Sequence, residues 1–326
     1  MRLRYGRYSL HKGVQKIKTK TALVLSTLVL AVGGTGGMAI ATFGTAHASP
    51  TPQVVYDALP GVSPATSYTS QPFQAQQVSE FGDLVHLGGT SRVLNNVTVS
   101  MSDYAPFADY SSNTRYSSNP VNWTHPITLN VYNVVSGTPN AVGSLIGTVT
   151  QTIAIPWRPA GDTTCPLAYG TDYQWKDGSG VCRYGYAFNA TFDLSGLNAT
   201  LPSAVIVTVA FNTQSYGSDP IGTDGPYNSL NVAVPENQTV SVGSDDANSV
   251  FLSSTWPGAF VNGSLAGLGL KEDTGWAPYG TVAMQITATA AKDQCKDNGW
   301  KNFNNPTFKN QGDCVSFVVS NGKSVH

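Results

Sequence analysis

From residue 73 onward the apolar positions recur with a period of two. Val97, Val99 and Met101 alternate with Thr98 and Ser100, and Ile127, Leu129 and Val131 alternate with Thr128 and Asn130. Tyr186, Phe188, Ala190 and Phe192 stand opposite Asn189, Thr191 and Asp193; Leu230, Val232 and Val234 repeat the pattern, and Val282, Met284 and Ile286 close it. Side chains spaced by two share one face of a strand, so each segment predicts a half-buried strand. Ala204 to Phe211 is apolar on both faces and predicts a central strand covered on each side. Leu145 to Ile155 is Thr-rich and long enough to bend or change sheets. No twelve-residue window shows a 3.6 period. The expected fold is therefore all-β: an antiparallel β-sandwich or jelly roll over residues 73–291.

Composition strengthens this. The chain has 326 residues, 11% of them charged, with 33 Gly and 19 Pro. Three glutamates, Glu80, Glu236 and Glu272, cannot solvate a helical bundle or coiled coil. The net charge of −1 hides an asymmetry. Seven of the 18 Lys and Arg fall in the first twenty residues, which hold no Asp or Glu, so eleven basic residues face 19 acidic ones in the remainder, a balance of −8.

Those seven cations precede an apolar run from Thr21 to Phe43, followed by Ala46-His47-Ala48, the small-residue pattern of a signal peptidase site. Residues 1–48 are expected to be a secretory signal, which makes the mature protein secreted or envelope-associated. Membrane contact would come only through this segment if it stayed uncleaved; Gly33, Gly34, Gly36 and Gly37 weaken it as a spanning helix. Residues 49–72, rich in Pro, Ser and Thr, read as a lead-in linker without a fold of its own.

Export places Cys165, Cys182, Cys295 and Cys314 in an oxidising compartment, where an even count favours disulfides. Three connectivities exist. Proximity in sequence selects Cys165–Cys182 and Cys295–Cys314, and neither spacing suits a zinc site. Near residue 291 the charge balance changes from acidic to basic. Residues 292–326 therefore read as a separate tail, ordered by its own disulfide and built as a stapled hairpin with Cys314–Val318 as one strand.

Two stretches carry a resemblance. Ser79-Glu80-Phe81-Gly82-Asp83, His125-Pro126-Ile127-Thr128-Leu129, Ile155-Pro156-Trp157-Arg158-Pro159 and Tyr227-Asn228-Ser229-Leu230 resemble a group of secreted bacterial β-sandwich proteins without an assigned activity. Residues Cys295 to Val315 are similar to a C-terminal motif, C-K-x-G-G-W-x-x-F-x-x-P-x-F-K-N-Q-G-x-C-V, found behind unrelated exported bacterial domains, with Asn298 where Gly is usual. The resemblance implies export, a sandwich and a modular tail. It supplies no catalytic residue.

No catalytic residue is assigned from the chain itself either. It lacks a G-x-S-x-G elbow and an H-E-x-x-H motif, and His86 and His125 read as structural. Glu80 with Asp83 is the best local carboxylate pair, for which a loop role is preferred. No cofactor is expected, apart from calcium in one of two acidic loops, where Asp219 and Asp224, or Asp245 and Asp246, are candidate ligands. The leading function is a non-enzymatic extracellular module. The alternative is a carbohydrate- or wall-polymer-binding protein, more remotely a glycoside hydrolase, with Trp175 and Tyr173 on the Cys165–Cys182 loop as the stacking platform. Trp123, Trp157, Trp256 and Trp276 are assigned to packing. An acidic mature chain excludes nucleic acid as a partner.

Overall fold

The computed structural model describes residues 51–61, 67–170, 172–263, 267–302 and 307–319. The expected signal, residues 1–48, lies outside them. Two antiparallel sheets form a sandwich. The first has the order β1 (Gln53–Asp57), β13 (Met284–Thr289), β4 (Val93–Asp103), β9 (Leu230–Ala233) and β2 (Ser70–Pro72). β7 (Tyr186–Asp193) pairs with the other side of β4. The second runs β12 (Gly267–Thr274), β11 (Ser249–Ser254), β3 (Val78–His86), β8 (Ala204–Ala210), β5 (Asn122–Val135) and β6 (Ala141–Pro156), and the two-residue β10 (Ser244–Asp245) lies beside β3. Alternating positions face inward: Val97, Val99 and Met101 from one sheet meet Phe81, Val85, Ile127, Leu129 and Val207 from the other in one buried core.

The apolar double face of β8 has its expected cover. Register shifts at Tyr132 bend the far end of the β5–β6 hairpin over the outer face of the second sheet. There Tyr132, Val134 and Val142 pack on Leu84, Ile206 and Phe251 in a cluster separate from the main core. Glu272 of β12 receives the backbone N–H of Asn140 at 2.5 Å and its side-chain amide at 2.8 Å, fastening the hairpin tip.

Two expectations fail. The described residues of the 49–72 segment, 51–61 and 67–72, do not form a linker: β1 pairs with β13 and β2 with β9, and Val55, Tyr56 and Ala58 are buried in the core. Pro52 and Pro60 flank β1, and Pro72 ends β2, so the prolines leave these short strands intact. In the tail, Cys314–Val318 belongs to a helix, α2 (Gln311–Val319), that follows the four-residue helix α1 (Phe107–Tyr110) in chain order. A five-residue apolar run carries no period long enough to separate helix from strand. Both disulfides join the expected cysteines. Cys295, Cys314 and Val318 form a small cluster of their own with Trp300, Phe308 and Phe317.

Candidate functional site

Asp273 closes β12 as a fully buried carboxylate. Its Oδ1 accepts the Asn262 N–H at 2.9 Å, and its Oδ2 accepts the Val261 N–H and the Trp276 indole N–H, each at 2.7 Å. One carboxylate thus draws together the loops on either side of β12. Gly275 permits this approach: its φ is +94°, and a Cβ there would lie 2.8 Å from Val261 Cγ1. Trp276 is clamped between that hydrogen bond and Phe81, whose ring centroid is 5.7 Å away.

These loops face β2 across a groove of about 380 Å³, lined by Gln71, Gln76, Phe260, Trp276 and Tyr279 among others. Gln71 Nε2 donates to Gln76 Oε1 at 2.6 Å, which fixes the amide row. Trp256, beside the groove, is 41% exposed and folds its ring over Gly258. At Thr69 and Ser70 the groove adjoins a second depression of about 470 Å³, lined by Tyr68, Tyr104, Arg183 and Tyr184. Ser70 organises the junction, hydrogen-bonded to the Tyr104 hydroxyl at 3.1 Å and receiving the Asn231 amide at 3.0 Å. Arg183 of this lining, its one cation among the described residues, is paired with Asp177 at 2.8 Å. Among the described residues neither lining includes a carboxylate. Aromatic faces, amides and hydroxyls at this size suit an uncharged, hydroxyl-rich ligand.

The residues singled out in the sequence lie elsewhere or do other work. Trp175 is not a platform. Only 4% exposed, it packs on Tyr186 and donates its indole N–H to the Gly185 carbonyl at 2.9 Å, because the stapled loop folds it inward. Tyr173, at 37% exposure, stands without it. Glu80 and Asp83 are not a pair: they sit three apart on a strand, so they point to opposite faces. Glu80 accepts hydrogen bonds from Asn130, Tyr132 and Thr208 on the outer face, while Asp83 is buried inside.

In the acidic loops the side chains serve the turns. Among the described residues no three His, Cys, Asp or Glu side chains gather at a metal site. The Asp219 N–H is held by Asn212 Oδ1 and the Asp224 carboxylate by the Asn228 amide. Asp245 turns its carboxyl into the protein, while Asp246 is exposed and caps the Asn248 N–H.

The remaining buried polar groups belong to the core. His125 Nε2 lies 2.8 Å from the Asn212 carbonyl and therefore carries the proton; Nδ1 is buried without a partner. Burial lowers its pKa to about 4. Asp103 accepts the Trp123 indole N–H at 3.0 Å and the Ala105 N–H at 3.1 Å. Burial pushes its pKa up to about 8 against the pull of those donors and Arg158.

Sequence reasoning missed the groove. Its aromatics sit in Trp256-Pro257-Gly258 and Gly275-Trp276-Ala277-Pro278-Tyr279, carrying the same local signal, an aromatic among turn residues, that pointed to Trp175. No protein-family model, curated protein or solved structure matches this chain.

Proposed function

We propose that this is an exported, non-enzymatic β-sandwich module that binds a neutral glycan or wall polymer along the paired depressions. The observation that carries the reading is the continuous lining from Tyr184 and Tyr68 through Ser70 to Gln71, Trp276 and Tyr279. Aromatic rings stack on the C–H faces of sugars, and amides and hydroxyls meet their hydroxyl groups. Together the depressions fall within the several-hundred-Å³ range that suits a short oligosaccharide segment. Glu80 is occupied in hydrogen bonds to neighbouring strands and Glu272 in bonds to the β5–β6 hairpin tip, away from this lining, which supports binding over hydrolysis. Export is supported by the basic-apolar leader pattern and by the two disulfides; no described helix is long and apolar enough to cross a membrane.

A glycan array probed with the full mature protein tests the reading. Retention on neutral hexose or N-acetylhexosamine polymers is expected. Binding confined to anionic polymers, or to none, would overturn it.

A further inference from the structure

The flank of the sandwich beside β1 is closed by a short strap, residues 241–245. It touches both sheets. The Ser241 N–H donates to the Asp57 carbonyl at 2.7 Å and the Asp57 N–H to the Val242 carbonyl at 2.9 Å, tying the strap to β1. Two residues later β10 pairs with β3, Ser244 opposite His86 and Asp245 opposite Val85. Gly243 lets it descend between them: at φ +82°, a Cβ would lie 2.4 Å from the His86 carbonyl.

That register fixes where Asp245 points. Val85 faces the core, so its partner Asp245 does too, and Asp83, two residues along β3 on the same face, is its diagonal neighbour. Both Asp245 carboxyl oxygens are buried with no hydrogen-bond partner of their own, and Asp83 lies close enough to feel their charge. Asp83 is fully buried, its oxygens accepting the Leu84 N–H at 2.8 Å and the Val282 N–H at 3.1 Å. Above them lies Tyr56, completely buried, its hydroxyl without a hydrogen-bond partner.

Two carboxylates cannot both hold a charge at such a place. We infer that Asp83 and Asp245 share one proton as a clasp that holds the 241–245 strap over Tyr56, and that loss of this proton releases the strap. The surroundings favour the protonated pair. Asp246 acts on Asp245, and Asp57 on Tyr56, each adding negative potential. The Thr281 hydroxyl and the Asp246 N–H face Asp245 from the opposite side of the balance. His86 is exposed on the other face of β3, and Arg92 donates to the carbonyls of Leu87, Gly88 and Ser91. Burial first, then the neighbouring carboxyl, raises Asp83 well above the ordinary carboxylate range, and burial brings Asp245 to about 6.

Native-state hydrogen exchange on the full mature protein, corrected for intrinsic rates, reads the strap through the amides of Asp57 and Ser241. Opening of these amides is expected to rise between about pH 5 and about pH 8 by about tenfold or more beyond any change in the amides of β8, which report the stability of the whole sandwich. Asp245→Asn, whose amide donates to Asp83 at every pH, should abolish the difference. If that variant does not fold, the wild-type series decides alone. Equal protection of the wild-type strap at both pH values would overturn the clasp, as would protection at the higher pH that requires calcium and is lost to a chelator.

Discussion

The indole N–H of Trp123 donates to Asp103 Oδ2 at 3.0 Å, and both side chains are buried. The bond crosses the sandwich: Asp103 ends β4 in one sheet and Trp123 begins β5 in the other. Trp123→Phe keeps the ring and removes the donor. The expected cost is about 0.5–1.5 kcal/mol near neutral pH, the range for a hydrogen bond to a carboxyl that is still protonated there, read by urea unfolding. Because the indole N–H lowers the Asp103 pKa, the same variant should raise it further, as a carboxyl ¹³C titration would show.

Beside the Asp83–Asp245 pair, two buried groups shifted in opposite senses contribute to the pH dependence of stability. Asp103 rises in the fold to about 8, so its contribution is complete in acid and is lost as the pH climbs to that value. His125 falls to about 4, so its contribution is present above the unfolded value of about 6.5 and is lost as the pH drops toward 4. Between about 4 and about 6.5 the two oppose each other. Above that window Asp103 acts alone of the two, and its share of the stability should decline by about 2 kcal/mol up to pH ~8, in addition to any loss from the Asp83–Asp245 pair. Asp103→Asn should flatten this decline in denaturant unfolding. A decline of unchanged size in that variant would remove Asp103 as its source.

The strand pattern was legible because each strand keeps one buried face: β4, β5, β7 and β13 stand where period two placed them. What sequence could not show is what sits opposite a residue. Gln71 and Trp276 meet across the groove from distant parts of the chain, and so do Asp83 and Asp245. Trp175 and Trp276 have similar local surroundings, yet the Cys165–Cys182 loop folds one inward while Asp273 holds the other at a groove. The β1 segment was misread because its prolines suggested an unstructured chain, although pairing with β13 fixes its register.

The tail should be separable from the sandwich. Its apolar cluster is built around Cys295 and Cys314, and a loop of this length gives roughly 3 kcal/mol of closure entropy. Replacing both cysteines with serine should remove the α2 contribution to far-ultraviolet circular dichroism. The main unfolding transition should move by no more than about 0.5 kcal/mol, the scale for a change remote from the core.

Asp273 is the groove's organiser. Asp273→Ala leaves the Val261 and Asn262 N–H groups and the Trp276 indole without their acceptor, with an expected loss of about 2–4 kcal/mol. The Trp276 fluorescence maximum should shift to the red as the ring gains solvent. An unshifted spectrum would show that Phe81 alone holds the ring.

Calorimetric titration with a neutral hexasaccharide tests the central claim most directly, comparing the full mature protein with the Tyr184→Ala/Tyr279→Ala double variant. These two rings stand in the adjoining depressions, and each stacking contact is worth about 0.5–1.5 kcal/mol. The expected result is measurable wild-type binding that weakens about tenfold or more in a variant with unchanged melting behaviour. Equal affinity of the two proteins, or no heat from either across neutral oligosaccharides, would contradict glycan binding at this groove.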